Sequence, residues 1–344
     1  MTRSSQVFAR QFPVILILSI FGLLLAGCGK PEREYDPEST LVDEVSGDFA
    51  FAQVRSLVGF GPRPTGSPAW EKSQDYLGDQ LGELGWVVKR ESFIVVTPAG
   101  EQEFVNVRAR FGPNRWEEPI HGVLCAHYDT KRFEGFSHVG ANDGASGVGV
   151  LLELARVLRL QPSIAEELEL VFFDGEEAQG PRITSRDGLY GSRHYAKELL
   201  VLPERRRPGW GILVGMSGGR DLRIRAAIQI PSAGLEALAE TKDRSGYVVD
   251  ILAVQHSLQK MARDLATAGR DLEFGSTVGI SPKSMVGGHI PLNVIAGVPA
   301  FQVLDSEYPY QHTPSDTMDK LSPESLEISA KIVLQLIEKY SPDW

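Results

Sequence analysis

Residues 122–131 read Gly122-Val123-Leu124-Cys125-Ala126-His127-Tyr128-Asp129-Thr130-Lys131. A short apolar run stops abruptly in a polar cluster. The pattern recurs twice. Leu168 to Phe173 runs into Asp174-Gly175-Glu176-Glu177-Ala178, and Ala300 to Leu304 runs on through Asp305 to Gln311-His312-Thr313. Short apolar runs of this kind describe strands buried on both faces. Between them lie segments with helical spacing. Trp70, Leu77, Leu81 and Leu84 share one face, and Gly85 ends that helix. Leu151, Leu152, Ala155 and Leu158 form a stripe within 148–160, and 191–200, 250–269 and 322–341 also read as helices. Val105, Val107, Ala109 and Phe111 alternate with polar residues, as in a half-buried strand; 212–214 and 224–230 also read as strands. Segments 231–249 carry no clear pattern. The alternation predicts a single α/β domain with a mostly parallel central sheet and helices on both faces. Sites in such folds lie beyond the carboxyl ends of the strands, where these polar clusters fall.

Composition agrees with a globular chain. Of 344 residues, 42% are hydrophobic and 23% charged, which excludes wholesale disorder and a polytopic membrane protein. The net charge of −10 and the lack of a basic stretch argue against nucleic acid as a partner. Two cysteines cannot form a disulfide scaffold. Cys125, inside an apolar run, reads as a small buried hydrophobe.

The N-terminus reads as a targeting segment. Arg3 and Arg10 precede a greasy run from Phe12 to Gly27, which is short of the roughly 20 residues of a membrane-spanning helix. It ends Leu25-Ala26-Gly27-Cys28. A basic start, an apolar middle and small residues before a cut site describe a secretory signal. The cysteine after Leu-Ala-Gly resembles the lipobox of bacterial lipoproteins. That resemblance implies cleavage after residue 27, acylation of Cys28 and lipid anchoring in the cell envelope, at the outer membrane if the cell is Gram-negative. Residues 28–48 are acidic and polar, as in a flexible tether. The catalytic domain is then expected over 49–344.

Four loops can converge on one edge of the sheet: 127–131, 140–145, 174–178 and 305–313. They bring His127 and His312 together with several carboxylates and no cysteine. Histidine with Asp and Glu suits zinc, whose catalytic sites keep three protein ligands and one open position. Each cluster also has a bland reading. A His-x-Asp pair can merely orient a loop, Asp143 before a helix can be an N-cap, and Glu176-Glu177 can be a solvated strand end. Their coincidence at strand ends favours the metal. Adjacent carboxylates add a reason: one can bind metal while its neighbour moves protons. A serine-hydrolase elbow, a P-loop and a dinucleotide fingerprint are all missing.

The motifs GPRPTGSPAW (61–70), AHYDTK (126–131), ANDGASGVGVLLELAR (141–156), VFFDGEEA (171–178), DGLYGSRH (187–194), GHIPL (288–292), GVPAF (297–301) and HTPSDTMDKLS (312–322) resemble the zinc aminopeptidase family, metallopeptidase family twenty-eight. HYDTK, DGEEA and LYGSRH are similar to its glutaminyl-peptide cyclotransferase branch. The resemblance covers 49 to the C-terminus. It implies Asp143, Glu177 and His312 as zinc ligands and Glu176 as general acid/base. His127 would serve a second metal in two-zinc relatives, with Asp129 as support behind the ligands. One zinc is expected. The implied reaction converts N-terminal Gln of peptides to pyroglutamate with release of ammonia.

Several positions depart from the branch. Gly215 stands where an Asp completes the second metal site, and Gly288 stands where cyclases carry Asp before His-Ile-Pro. Gln311 replaces a frequent Trp, and the cyclase Trp between DGEEA and LYGSRH has no counterpart. Three accounts stay open: a cyclase, a one-zinc aminopeptidase, and a zinc-binding envelope protein with weakened catalysis.

Overall fold

The computed structural model describes residues 40–113, 115–227, 230–231, 249–281 and 285–341. The segment 1–27, Cys28 and most of 231–249 lie outside the described residues.

Among the described residues, eight strands and six principal helices build the fold. The strands are β1 (Trp86–Thr97), β2 (Gly100–Phe111), β3 (Gly122–His127), β4 (Leu168–Phe173), β5 (Trp210–Val214), β6 (Ile224–Ala227), β7 (Val278–Ser281) and β8 (Ala300–Val303). The helices are α1 (Gly47–Gly59), α2 (Pro68–Glu83), α3 (Ser146–Leu158), α4 (Tyr190–Val201), α5 (Ile251–Asp271) and α6 (Pro323–Tyr340). The main sheet runs β1-β2-β4-β3-β5-β8, and β6 and β7 form a separate two-stranded sheet. Pairs β4–β3, β3–β5 and β5–β8 are parallel, whereas β1–β2 and β2–β4 are antiparallel. The four parallel strands carry the site.

Strands β3 and β4 are buried along their whole length. The polar exception in β4, Glu169, is fully buried and meets two guanidinium groups from β2. Arg108 Nε lies 2.6 Å from its Oε1 and Arg110 Nε 2.8 Å from its Oε2. A buried charge is tolerated only when paired in this way. The helix α3, buried on nearly every side, packs against both β3 and β5. Cys125 is free and buried between the layers.

Two sequence expectations change. Strand β1 was not foreseen; Ile94 and Val96 are 70% and 74% exposed, so its pattern is not that of a buried strand. The folded part also begins before residue 49. Leu41, Val42 and Val45 are buried, and the turn Leu41–Glu44 packs against α3 and α6. Ser46 then caps α1, its side chain accepting from the Phe49 N–H. Three apolar side chains among acidic neighbours are enough to dock 41–48 on the domain, so these residues are no tether.

Candidate metal and catalytic site

Each element of the site leaves the carboxyl end of a parallel strand, as the fold class dictates. His127 is the last residue of β3, and Glu176 and Glu177 follow β4. Asp143 sits in the turn before α3, and His312 in the loop after β8. Asp143 does not cap that helix: the N-cap is Ala145, with no side-chain cap bond. The turn depends on Gly144, whose φ is +98° and whose Cβ would lie 2.3 Å from the Asp129 carbonyl oxygen. His312 itself adopts a left-handed φ of 56°, a strained conformation that tends to collect at functional positions.

Asp143, Glu177 and His312 converge, with one ligand atom of each within 4.8 Å of the others. His312 Nε2 is 3.0 Å from Glu177 Oε1 and 3.2 Å from Asp143 Oδ2. Burial opposes a charge on His312, but Asp143 and Glu177 outweigh it and push the imidazole up to about 10. Two buried carboxylates thus draw positive charge to one point. One imidazole nitrogen and two carboxylate oxygens are the donor set of a catalytic zinc, so the residues present fit that ion.

His127 lines the same cavity, next to Asp143. Its Nε2 lies 3.3 Å from Asp143 Oδ1 and its Nδ1 3.4 Å from Asp129 Oδ1. Burial works against its charge, yet Asp129 and Asp143 hold it well above its ordinary value. Asp129 has a second task. Its two oxygens accept the backbone N–H groups of Glu176 and Glu177, each at 3.2 Å, which fixes the adjacent glutamates.

Glu176 faces the pocket from the other side of the backbone. Its Oε1 accepts the Gly288 N–H at 2.8 Å, while Oε2 is buried without a hydrogen-bond partner. Burial, against the pull of the nearby His127, pushes its carboxyl up to about 7. A carboxyl near neutrality beside a metal site is suited to acid–base work. Gly288 does not leave a gap where a carboxylate is missing: a Cβ there would lie 2.8 Å from Glu176 Oε2. At Gly215 a Cβ would meet nothing within 4 Å, so that position opens space. The cavity holds about 240 Å³, with Leu213, Met216, Val286 and Leu304 as apolar wall. Gln311 donates to Asp143 Oδ2 at 3.3 Å.

Two supporting residues escaped the sequence reading, although both stand inside quoted motifs. Asp316 accepts the N–H groups of Asn142 and Asp143 at 2.8 and 3.0 Å and the Tyr308 hydroxyl at 2.9 Å. It anchors the turn that presents Asp143. Arg63 is fully buried and donates to the carbonyls of Tyr128, Val139 and Gly140, tying the loops on either side of the site together. Burial lowers its guanidinium to about 10.

Fold and site together define an α/β protein with a cluster of one histidine and two carboxylates at its sheet edge and a further buried glutamate beside it. Residues 106–337 match peptidase family M28, and the chain belongs to that family. It is 28% identical over 295 residues to a glutaminyl-peptide cyclotransferase-like protein of Bos taurus, covering 81% of this chain and 72% of that one. Among solved structures, a glutaminyl cyclase of Porphyromonas gingivalis superposes with a TM-score of 0.70 at 22% identity, covering 87% of this chain and all of that one. A Zn-dependent exopeptidase of Parabacteroides distasonis gives 0.67 at 24% identity, covering 85% and 98%.

Proposed function

We propose that the protein is a zinc-dependent glutaminyl-peptide cyclotransferase, acting on the N-terminal Gln of peptides or proteins. One observation carries the reading. Glu176 is held by the Gly288 N–H on one oxygen, and its other oxygen is buried and unpartnered in the wall of the pocket that the Asp143–Glu177–His312 cluster lines. Those three side chains would hold one zinc; Gly215 brings no further carboxylate, and His127 is engaged with Asp129 and Asp143. When bound, zinc supplies a Lewis acid for the substrate's γ-carbonyl. Glu176 takes a proton from the α-amine as its nitrogen forms a bond to the γ-carboxamide carbon. The bond from that carbon to its NH2 group then breaks, and Glu176 returns the proton to the departing nitrogen. Pyroglutamate and ammonia result, with no water consumed. The apolar wall keeps competing water away from this ring closure.

The exopeptidase likeness supports a second reading, in which Glu176 deprotonates a water that attacks the first peptide bond. Gln-initiated and Leu-initiated peptides separate the accounts. Ammonia from the first supports the cyclase and free Leu from the second the aminopeptidase. Silence on both leaves a zinc-binding envelope protein.

The sequence supports lipid anchoring through Cys28 on the non-cytoplasmic side of a bacterial envelope. Labelled fatty acid should enter the wild-type chain and not Cys28→Ser; failure to label the wild type overturns the anchor.

A further inference from the structure

Among the buried polar side chains that line the pocket, one is used by neither the metal cluster nor proton transfer. Gln302, in β8, lines the cavity and is only 7% exposed. Among the described residues no hydrogen bond engages its carboxamide, and its polar atoms are not sealed off from the cavity. A buried amide costs free energy unless it finds a partner. The protein also makes room for it. A Cβ on Gly287 would lie 2.2 Å from Gln302 Nε2 and 2.9 Å from its Cδ, so the amide packs against bare backbone. The next residue, Gly288, gives the same clearance to Glu176. Two consecutive glycines therefore set two side chains in one pocket: the proton-transfer carboxylate and a neutral amide.

We propose that Gln302 determines specificity for the substrate's first side chain, by pairing its carboxamide with the γ-carboxamide of an N-terminal glutamine. This rests on the cyclase reading and names the residue that recognises its substrate. A primary amide offers one acceptor and two donors, and so does Gln302. A glutamate carboxylate in the same place only accepts, and would leave the Gln302 oxygen facing negative charge. A methionine side chain of similar length would leave the amide unpaired. Sites that hydrogen-bond a substrate group discriminate strongly against analogues lacking it, because their own polar atoms are then stranded.

The test uses binding as well as turnover. N-acetylated peptides beginning with Gln, Glu or Met cannot cyclise, and calorimetry on the zinc-loaded full chain ranks their affinities. Wild type is expected to prefer the Gln peptide by about tenfold, the worth of one or two neutral hydrogen bonds. Gln302→Met should erase that preference and raise KM for a reactive Gln peptide, with zinc content unchanged. Gln302→Glu, of the same size, guards against a folding defect and should also lose it. Gly287→Ala, which pushes the amide aside without altering it, should weaken Gln binding alone. Absence of the preference in wild type, or its survival in folded, zinc-loaded Gln302→Met, overturns the proposal. The cyclase reading fails separately. Selective binding without ammonia release from a reactive Gln peptide would sink the reaction and leave the recognition standing.

Discussion

Glu91, His194 and Glu198 meet between β1 and α4; Asp143, Glu177 and His312 meet at the strand ends. Both clusters place one histidine among two carboxylates. They differ in what neutralises them. In the first, the Arg108 guanidinium lies 3.0 Å from Glu91 and 2.9 Å from Glu198, and His194 stacks on Phe93 at 4.0 Å. His194 and Arg108 together pull Glu198 down to about 2. In the second, the nearest lysine amine, on Lys131, is 3.9 Å from Glu177 and gives its hydrogen bonds to the carbonyls of Ala178 and Gly180. The same residue types thus form a closed ionic network in one place and, on the function proposed above, the holder of a cation in the other. Residue identity is the same in both; what differs is that a permanent guanidinium charge sits in the first and only imidazoles sit in the second.

Paired substitutions put the contrast to its hardest test. His312→Ala should strip the zinc and abolish activity, whereas His194→Ala should leave about one zinc per chain and near-normal turnover. Metal analysis beside an activity assay reads both. Zinc loss in His194→Ala with retention in His312→Ala would reverse the assignment.

Glu176→Gln removes the proton acceptor while keeping size and most hydrogen bonding. It should retain zinc and fold and lose roughly 10²–10⁴-fold in rate, the usual contribution of a positioned acid–base group. Near-wild-type turnover in the folded, zinc-loaded variant would remove Glu176 from the mechanism. Because Glu177 is its neighbour, Glu177→Gln makes an informative partner. That variant should lose metal affinity first, which separates the roles of two adjacent carboxylates.

The legible and illegible parts of the molecule divide along one line. His127, Glu176, Glu177 and His312 follow apolar runs and Asp143 precedes a helical stripe, so local pattern put them in loops at one sheet edge, while the family resemblance supplied their roles. Arg63 and Asp316 work through backbone groups brought close by tertiary folding: Arg63 bonds carbonyls 65 to 77 positions away, and Asp316 amides 173 and 174 away. No periodicity encodes such partners. Glu169 shows the same limit from the other side. A charge in the middle of an apolar strand looks like a flaw until β2 brings Arg108 and Arg110 against it. The segment 41–48 was misread because Leu41, Val42 and Val45 are too few to shift the composition of an acidic stretch, yet they suffice to bury it.

Arg108 offers the finest probe of the contrast. Replacing it with Met keeps much of the apolar stem and removes the guanidinium. Glu169 would still hold Arg110, with Nη2 2.6 Å away, so the buried charge is not abandoned. The loss falls on Glu91, Glu198 and the Oε1 of Glu169, and roughly 3–5 kcal/mol of stability is expected when one partner of a buried ion pair is removed. Denaturant unfolding would measure it. The variant also exposes the logic of the comparison, since Glu91, His194 and Glu198 would then lack their counter-ion. Arg108→Met should gain weak binding of a second divalent cation, seen as a zinc equivalent above the first that dialysis removes readily. His194→Ala in the same background should cancel that gain. A stable Arg108→Met protein with no extra metal would show that a missing counter-ion alone does not make a site, and that the placement of Asp143, Glu177 and His312 matters more than their charge.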